Sequence, residues 1–169
     1  FTNSYGDFLD LISLQLKPDE PTHYLTADGY ESIRLLTETI AVHGAEPVQM
    51  VVKETRWGPI VDTDHHGQPR AWRWVAHEPE ALNLSGFWQL EKAQRVSAAI
   101  AIAQQTGMPG QNFVVGDQYG DIAWTIIGRI PKRSEGFDGR IPRDWSQGDI
   151  QWQGSVSYTH LTLPTMMSV

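Results

Sequence analysis

The chain has 169 residues, a formal net charge of −7 and a pI near 5.2. That length can bury one sizeable core, and the acidic balance excludes nucleic acid, which needs a basic face. Cysteine is absent, so disulfides and thiolate-bound metals are excluded too. No apolar run reaches the roughly 18 residues of a membrane span. The first residue is Phe1, with neither initiator Met nor signal peptide, as expected of a processed chain or of a fragment.

Taken in order, Leu9, Leu11, Leu14 and Leu16 alternate apart from a break at Ile12-Ser13, which predicts a strand burying those leucines. Pro18 to Pro21 is a turn, and His23 to Thr26 reads as a short strand ending in the turn Ala27-Asp28-Gly29-Tyr30. Thr39 to Val42 and Val48 to Val52 form strands around Gly44-Ala45-Glu46-Pro47, and Gly58-Pro59 breaks the second before Ile60. After a polar loop from Asp62 to Pro69, alternation resumes at Ala71 to Ala76, with Trp72 and Trp74 on one face. Over residues 84–105 the apolar positions Leu90, Ala93, Val96, Ile100 and Ala103 have three-to-four spacing, which predicts one main amphipathic helix. Gly107 and Pro109 end it.

Next comes NFVVGDQYGDIAWTIIGRIPKR, from Asn112 to Arg133. Two β-branched runs flank Asp117-Gln118-Tyr119-Gly120-Asp121, with a glycine for the positive φ of a tight reversal. The reading is a hairpin whose second strand puts Ile122, Trp124 and Ile126 on one face and Ala123, Thr125 and Ile127 on the other. Ser134 to Gly154 reads as a long ordered loop. Residues 155–169, SVSYTHLTLPTMMSV, carry no charge and are rich in Ser, Thr and Met. They resemble translated sequencing-adapter read-through, and the domain is placed at 1–154 with 155–169 a non-native tail.

Chemistry-bearing residues are sparse. Asp62, Asp64, His65 and His66 invite a metal reading, but adjacent histidines on a strand face opposite ways, so a solvated loop is the better account. Ser4 sits in no G-x-S-x-G elbow, and Gly107 to Gly110 has no G-K-[ST] after it, so it is no phosphate loop. Asp7 and Asp10 alone would be turn and strand-edge carboxylates.

As a string, the 112–133 segment resembles the penicillin acylase (penicillin amidase) family of N-terminal nucleophile hydrolases, whose β chain carries N-[FWY]-x-x-[AG]-D-x-x-G-x-I-x-[YW]-x-x-x-G-[RA]-[IY]-P-x-R. TNSYGDFLDL, Thr55-Arg56-Trp57-Gly58-Pro59-Ile60 and GFDGRIP resemble further family segments, so the likeness runs from Phe1 to about Gly154. It implies an α+β fold, part of the four-layer αββα Ntn-hydrolase sandwich, mostly antiparallel. It also implies an amidohydrolase that cleaves linear amides of acylated amines, of the β-lactam side-chain or N-acyl-homoserine lactone type, through an acyl-enzyme. The nucleophile would be an N-terminal Ser, Thr or Cys whose own α-amino group, titrating near 7.7–8.0, is the base. No residue here fills that role, so the fragment alone is expected to be inactive.

Residue by residue, the resemblance puts the Asn3 backbone N–H in the oxyanion hole. Asp7, the Leu9 carbonyl, Asp10 and the Gly139 carbonyl fall on structural calcium ligands, and Phe87 or Trp88 on an aromatic of the acyl pocket. It further implies the α chain of the same precursor as partner, a small acylated-amine substrate, no organic cofactor, and a periplasmic or secreted location. Two rivals stand beside it. One is a noncatalytic all-β carbohydrate-binding or interaction module, which would need neither the helix nor the TNSYGD and GFDGRIP segments. The other is an inactive acylase homologue.

Overall fold

A computed structural model of the chain describes residues 7–158. Asn3 and Ser4, and the tail beyond Tyr158, lie outside the described residues. The chain divides into two compact units, and the polypeptide passes between them more than once.

The unit built from residues 9–74 and 133–151 is nearly all β. Its main sheet has the order β1-β8-β7-β6-β5: β1 (Leu9–Ser13), β8 (Pro69–Trp74), β7 (Gly58–Thr63), β6 (Val48–Thr55) and β5 (Arg34–Ile40). Its adjacent strands pair antiparallel. A second sheet of three strands joins β2 (Leu16–Lys17), β3 (Glu20–Thr26) and β4 (Gly29–Ser32). Two of the turns use the same device, Thr-x-x-Gly. In Thr26-Ala27-Asp28-Gly29 the threonine hydroxyl donates to the Gly29 carbonyl at 2.8 Å and accepts from the Asp28 N–H at 3.2 Å. Thr55-Arg56-Trp57-Gly58 repeats both bonds at 2.8 and 3.2 Å. Gly29 and Gly58 have φ of 113° and 131°, which a side chain would strain. The break expected at Gly58-Pro59 is therefore a hairpin turn, and β7 begins at Gly58 itself.

β1 buries the face opposite to the expected one. Ile12 and Asp10 are buried and Leu9 is 38% exposed. Apolar alternation favoured the leucines, but Asp10 goes inside because the Arg133 guanidinium meets it there, Nε to Oδ2 at 2.9 Å. The loop expected from Ser134 to Gly154 has no regular strand as far as Gln151, but Trp152 to Gly154 belong to a strand, Trp152–Ser157. The loop is pinned by Trp145, which is buried and meets Phe137 and Trp57 edge-on at centroid distances of 5.8 and 6.2 Å. Trp57 in turn meets Tyr24 at 5.4 Å.

The other unit, from residues 1–8, 75–132 and 152–169, holds the helices. Two 3-10 turns (Val75–His77 and Pro79–Leu82) lead into α1 (Ser85–Leu90) and α2 (Val96–Gln105). The hairpin of β9 (Gln111–Gly116) and β10 (Ile122–Ile127) follows, and β11 (Arg129–Arg133) pairs with β12 (Trp152–Ser157). β12 thus continues three residues past Gly154. Val96, Ala99, Ile100 and Ala103 of α2 pack on Phe113, Ala123 and Ile127 of the hairpin, with Met108 between. On β10, Ala123, Thr125 and Ile127 are buried, and the opposite face runs from Ile122, 55% exposed, to Ile126, which is buried as well, so the strand is covered on one side throughout and on both at its end.

The helix predicted over 84–105 is broken. α1 closes with three-residue bonds, Lys92 N–H to Gln89 carbonyl and Ala93 N–H to Leu90 carbonyl, and Arg95 is extended before α2 starts at Val96. The cause lies in the hairpin turn. One oxygen of Asp117 accepts the Val96 N–H at 3.3 Å, and the other accepts those of Tyr119 and Asp121 at 2.9 and 3.3 Å. A distant carboxylate caps α2, satisfying an N–H that a continuous helix would have bonded internally.

Candidate functional site

The residues the resemblance marks fall in both units. Asp7 is exposed, in the helical unit, just ahead of the buried Phe8. Leu9, Asp10 and Gly139 belong to the β unit, Gly139 half-buried in the 134–151 loop. Among these, Asp10 has the most developed surroundings. Its carboxylate is 1% exposed and bonded by Arg133, which also approaches the Leu9 carbonyl through Nη2 at 3.4 Å. The same guanidinium lies over the Phe137 ring, 5.8 Å from its centroid.

A buried carboxylate and backbone carbonyls are hard oxygens of the kind calcium takes, so the donor chemistry fits that ion. The number does not complete a site. Calcium takes about six to eight oxygens, and no three His, Cys, Asp or Glu side chains converge on one point among the described residues.

Phe87 and Trp88 are neighbours on α1 with opposite fates. Phe87 packs against the core of its unit, while Trp88 is 71% exposed. Gly86 before them is buried, and α1 passes Thr106 so closely there that no side chain fits. Nearby, a crevice of about 380 Å³ opens between the α1–α2 junction and the hairpin, floored by Phe113, Val115 and Leu90 with Arg95 and Asp117 at its edge. Burial acts to raise the Asp117 pKa, but the N–H groups of Tyr119, Val96 and Asp121 and the charge of Arg95 outweigh it and hold the carboxyl below its ordinary value. Arg95 is itself stacked 3.3 Å over the Tyr119 ring.

In the β unit the Tyr24 hydroxyl accepts the Arg56 N–H at 2.7 Å and donates to Glu31 at 3.0 Å. Burial pushes it up to about 12, helped by Glu31 and opposed by Arg56. Arg56 also pairs with Asp28 at 2.8 Å and with Glu31. The histidine pair occupies a turn, so His65 and His66 do not face opposite ways. Their rings meet at a centroid distance of 3.8 Å, tilted by 44°, while Asp64 accepts the N–H groups of His66 and Gln68 and Asp62 pairs with Arg70. A solvated loop remains the description, for a different reason than strand geometry.

Sequence reading missed two residues: Arg133, the partner of Asp10, and Asp117, the cap of α2. Arg133 closes the Gly-Arg-Ile-Pro-Lys-Arg motif, and its position there was the one available signal.

Comparison with known proteins gives this geometry a context. The thermostable penicillin G acylase of Alcaligenes faecalis superposes with a TM-score of 0.78 over 98% of this chain and 32% of its own, at 19% identity. The fold is that part of the Ntn-hydrolase sandwich. The penicillin amidase family model matches residues 1–165, and the chain belongs to that family. The acyl-homoserine lactone acylase QuiP of Pseudomonas aeruginosa is 29% identical over 163 residues, covering 88% of this chain and 19% of the relative. The penicillin acylase 2 proenzyme of Pseudomonas sp. (strain SE83) is 25% identical over 158 residues, 93% of this chain and 20% of the proenzyme. The chain therefore spans 19–20% of the length of these relatives. Among the described residues no helix is long and apolar enough to cross a membrane.

Proposed function

We propose that this chain is part of the β chain of an amidohydrolase that cleaves the linear amide of an acylated amine through an acyl-enzyme. The observation that carries the reading is the family match across residues 1–165, in a chain whose relatives are named for acylase activity. The nucleophile would be an N-terminal Ser, Thr or Cys outside these 169 residues, with its α-amino group as base. An amine titrating near 7.7–8.0 accepts a proton near neutrality without a histidine. The Asn3 backbone N–H would stabilise the developing oxyanion, since a rigid amide donor needs no particular side chain.

Phe87 or Trp88 would meet the acyl group. The exposure of Trp88 favours it as the residue a substrate can reach, and the core packing of Phe87 favours a supporting role. Calcium, if held, would use the Leu9 carbonyl, Asp10 and the Gly139 carbonyl with ligands from elsewhere in the protein. Its part would be to cross-link strand and loop, with no step of the hydrolysis assigned to it. The α chain of the same precursor is the proposed partner and the periplasm the proposed location.

Sequencing the source locus on both sides of this frame tests the reading. A Ser, Thr or Cys following a Gly roughly sixty to seventy codons upstream, the spacing implied by the resemblance, together with an Asn downstream in place of residues 155–169, is the expected result; it justifies assays on acyl-homoserine lactones and on penicillin G. Any other residue at the nucleophile position leaves the family and overturns the activity.

A further inference from the structure

We infer that β5 is a docking edge for a second copy of this chain, the two β5 strands pairing antiparallel about a two-fold axis through Leu36. The interface is independent of the amidohydrolase reading and stands or falls without it.

β5 is the last strand of the main sheet and has no second neighbour among the described residues. Its register with β6 runs unbroken from Arg34 opposite Glu54 to Ile40 opposite Val48. β6 in turn pairs with β7 only at Glu54 and Thr55. From Val48 to Lys53 the sheet is thus a two-stranded ribbon, and such a ribbon is marginally stable in water by itself. It carries apolar side chains into solvent on both faces. Leu35 and Val51 are 61% and 53% exposed on one, and Met50 and Ile40 are 46% and 45% exposed on the other. Strand edges that stay unpaired are commonly guarded by lysine, proline or a bulge, and β5 has none of these.

The placement of charge selects the occupant. A two-fold axis normal to the sheet keeps each face on its own side, so Arg34, Leu36 and Glu38, which share a face, meet the same face of the second copy. With Leu36 on the axis, Arg34 stands opposite Glu38 of the second copy, and Glu38 opposite its Arg34. Leu36 meets its own equivalent, which extends the Leu36–Val52 cross-strand pair into a row of Val52, Leu36, Leu36 and Val52. On the other face Leu35 comes opposite Thr37 of the second copy, whose β6 neighbour is Val51. Moving the axis to Thr37 or to Leu35 sets Glu38 or Arg34 against Leu36 and loses both charge pairs. Arg34 already holds Glu54 through Nε at 2.7 Å, and the guanidinium has donors left for a second carboxylate. The result is a four-stranded ribbon, β6-β5-β5-β6, that supplies the neighbours each hairpin lacks.

The test is sedimentation equilibrium of the full 169-residue chain over a range of concentrations, on the parent, on Glu38→Arg and on Glu46→Arg. Glu38→Arg sets like charges opposite each other at both ends of the interface. Glu46→Arg makes the same change of net charge in the turn between β5 and β6, away from it. The expected result is a monomer–dimer equilibrium whose dissociation constant rises about tenfold or more in Glu38→Arg and stays unchanged in Glu46→Arg. A second measurement reads the register. The chain has no cysteine, so Leu36→Cys places a single thiol on the axis, within disulfide reach of its equivalent. Oxidation with copper phenanthroline should link Leu36→Cys into covalent dimers and leave Thr39→Cys unlinked, since its two thiols lie far apart across the axis. A parent that stays monomeric at every concentration overturns the inference. So does a dimer that Glu38→Arg leaves intact, or one that cross-links no better through position 36 than through position 39.

Discussion

The crossing of α1 and the chain just after α2 positions Phe87 and Trp88, and Gly86 is the residue that permits it. A Cβ built on Gly86 would lie 1.8 Å from the Thr106 hydroxyl oxygen and 2.8 Å from the Thr106 Cβ. The threonine cannot turn away cheaply, because it is fully buried and its hydroxyl donates to the Ile102 carbonyl at 2.9 Å. Gly86→Ala must therefore push α1 outward or break that bond. Overpacking of this kind costs about 1–3 kcal/mol, and an orphaned hydroxyl adds about 1 kcal/mol. The better helix propensity of alanine returns about 1 kcal/mol. The net expectation is a loss of about 2 kcal/mol, or a fall of about 4–8 °C in a domain of this size. Thermal unfolding followed by far-ultraviolet circular dichroism reads it. Thr106→Ala removes the hydroxyl and the methyl but leaves the Cβ contact, so Gly86→Ala/Thr106→Ala should be less destabilised than the sum of the single variants by about 1 kcal/mol. A Gly86→Ala protein as stable as the parent, or strictly additive variants, would refute the close crossing.

Three further outcomes are expected. Tyr24 is held neutral by burial with its pKa raised to about 12, so the stability it contributes is complete below about pH 10, where an unfolded tyrosine titrates, and is lost as pH rises toward 12. Alkaline unfolding should therefore steepen in that window and flatten in Tyr24→Phe; identical profiles would remove Tyr24 as the cause. If Asp10 is a calcium ligand as proposed, Asp10→Ala in the full-length protein should lower the melting temperature and abolish most of the difference made by a chelator, whereas an unchanged chelator effect sinks Asp10 as a ligand. A chain ending at Gly154 should be at least as soluble as the whole, with Trp152 still anchoring β12; loss of folding would show that the segment from Ser155 onward is native.

How much of this was legible depended on the range of the interaction that fixed each element. The 112–127 hairpin is written locally, in β-branched runs around a glycine with φ of 91° at position 120, and its faces were read correctly. The Thr-x-x-Gly turns are likewise local, although only their glycines were noticed. The break between α1 and α2 was invisible because the cap on Val96 is Asp117, 21 residues away, while the apolar spacing from Leu90 to Ala103 continues across the gap as though nothing happened.

The phase of β1 failed for the same reason at longer range. Alternation takes leucine over aspartate for the buried face, and that rule holds until a partner 123 residues away brings a charge to meet the aspartate. The site inherits this limit. The resemblance identified Leu9 and Asp10 as positions of interest, but a family pattern does not name the partner that each side chain finds, and the partner of Asp10 here is the arginine at the end of Gly-Arg-Ile-Pro-Lys-Arg. A motif residue whose charge has no local partner is thus the place to look for the interaction that sets strand phase. In this chain that residue is Arg133, and its pairing with Asp10 lets the face that also buries Ile12 turn inward.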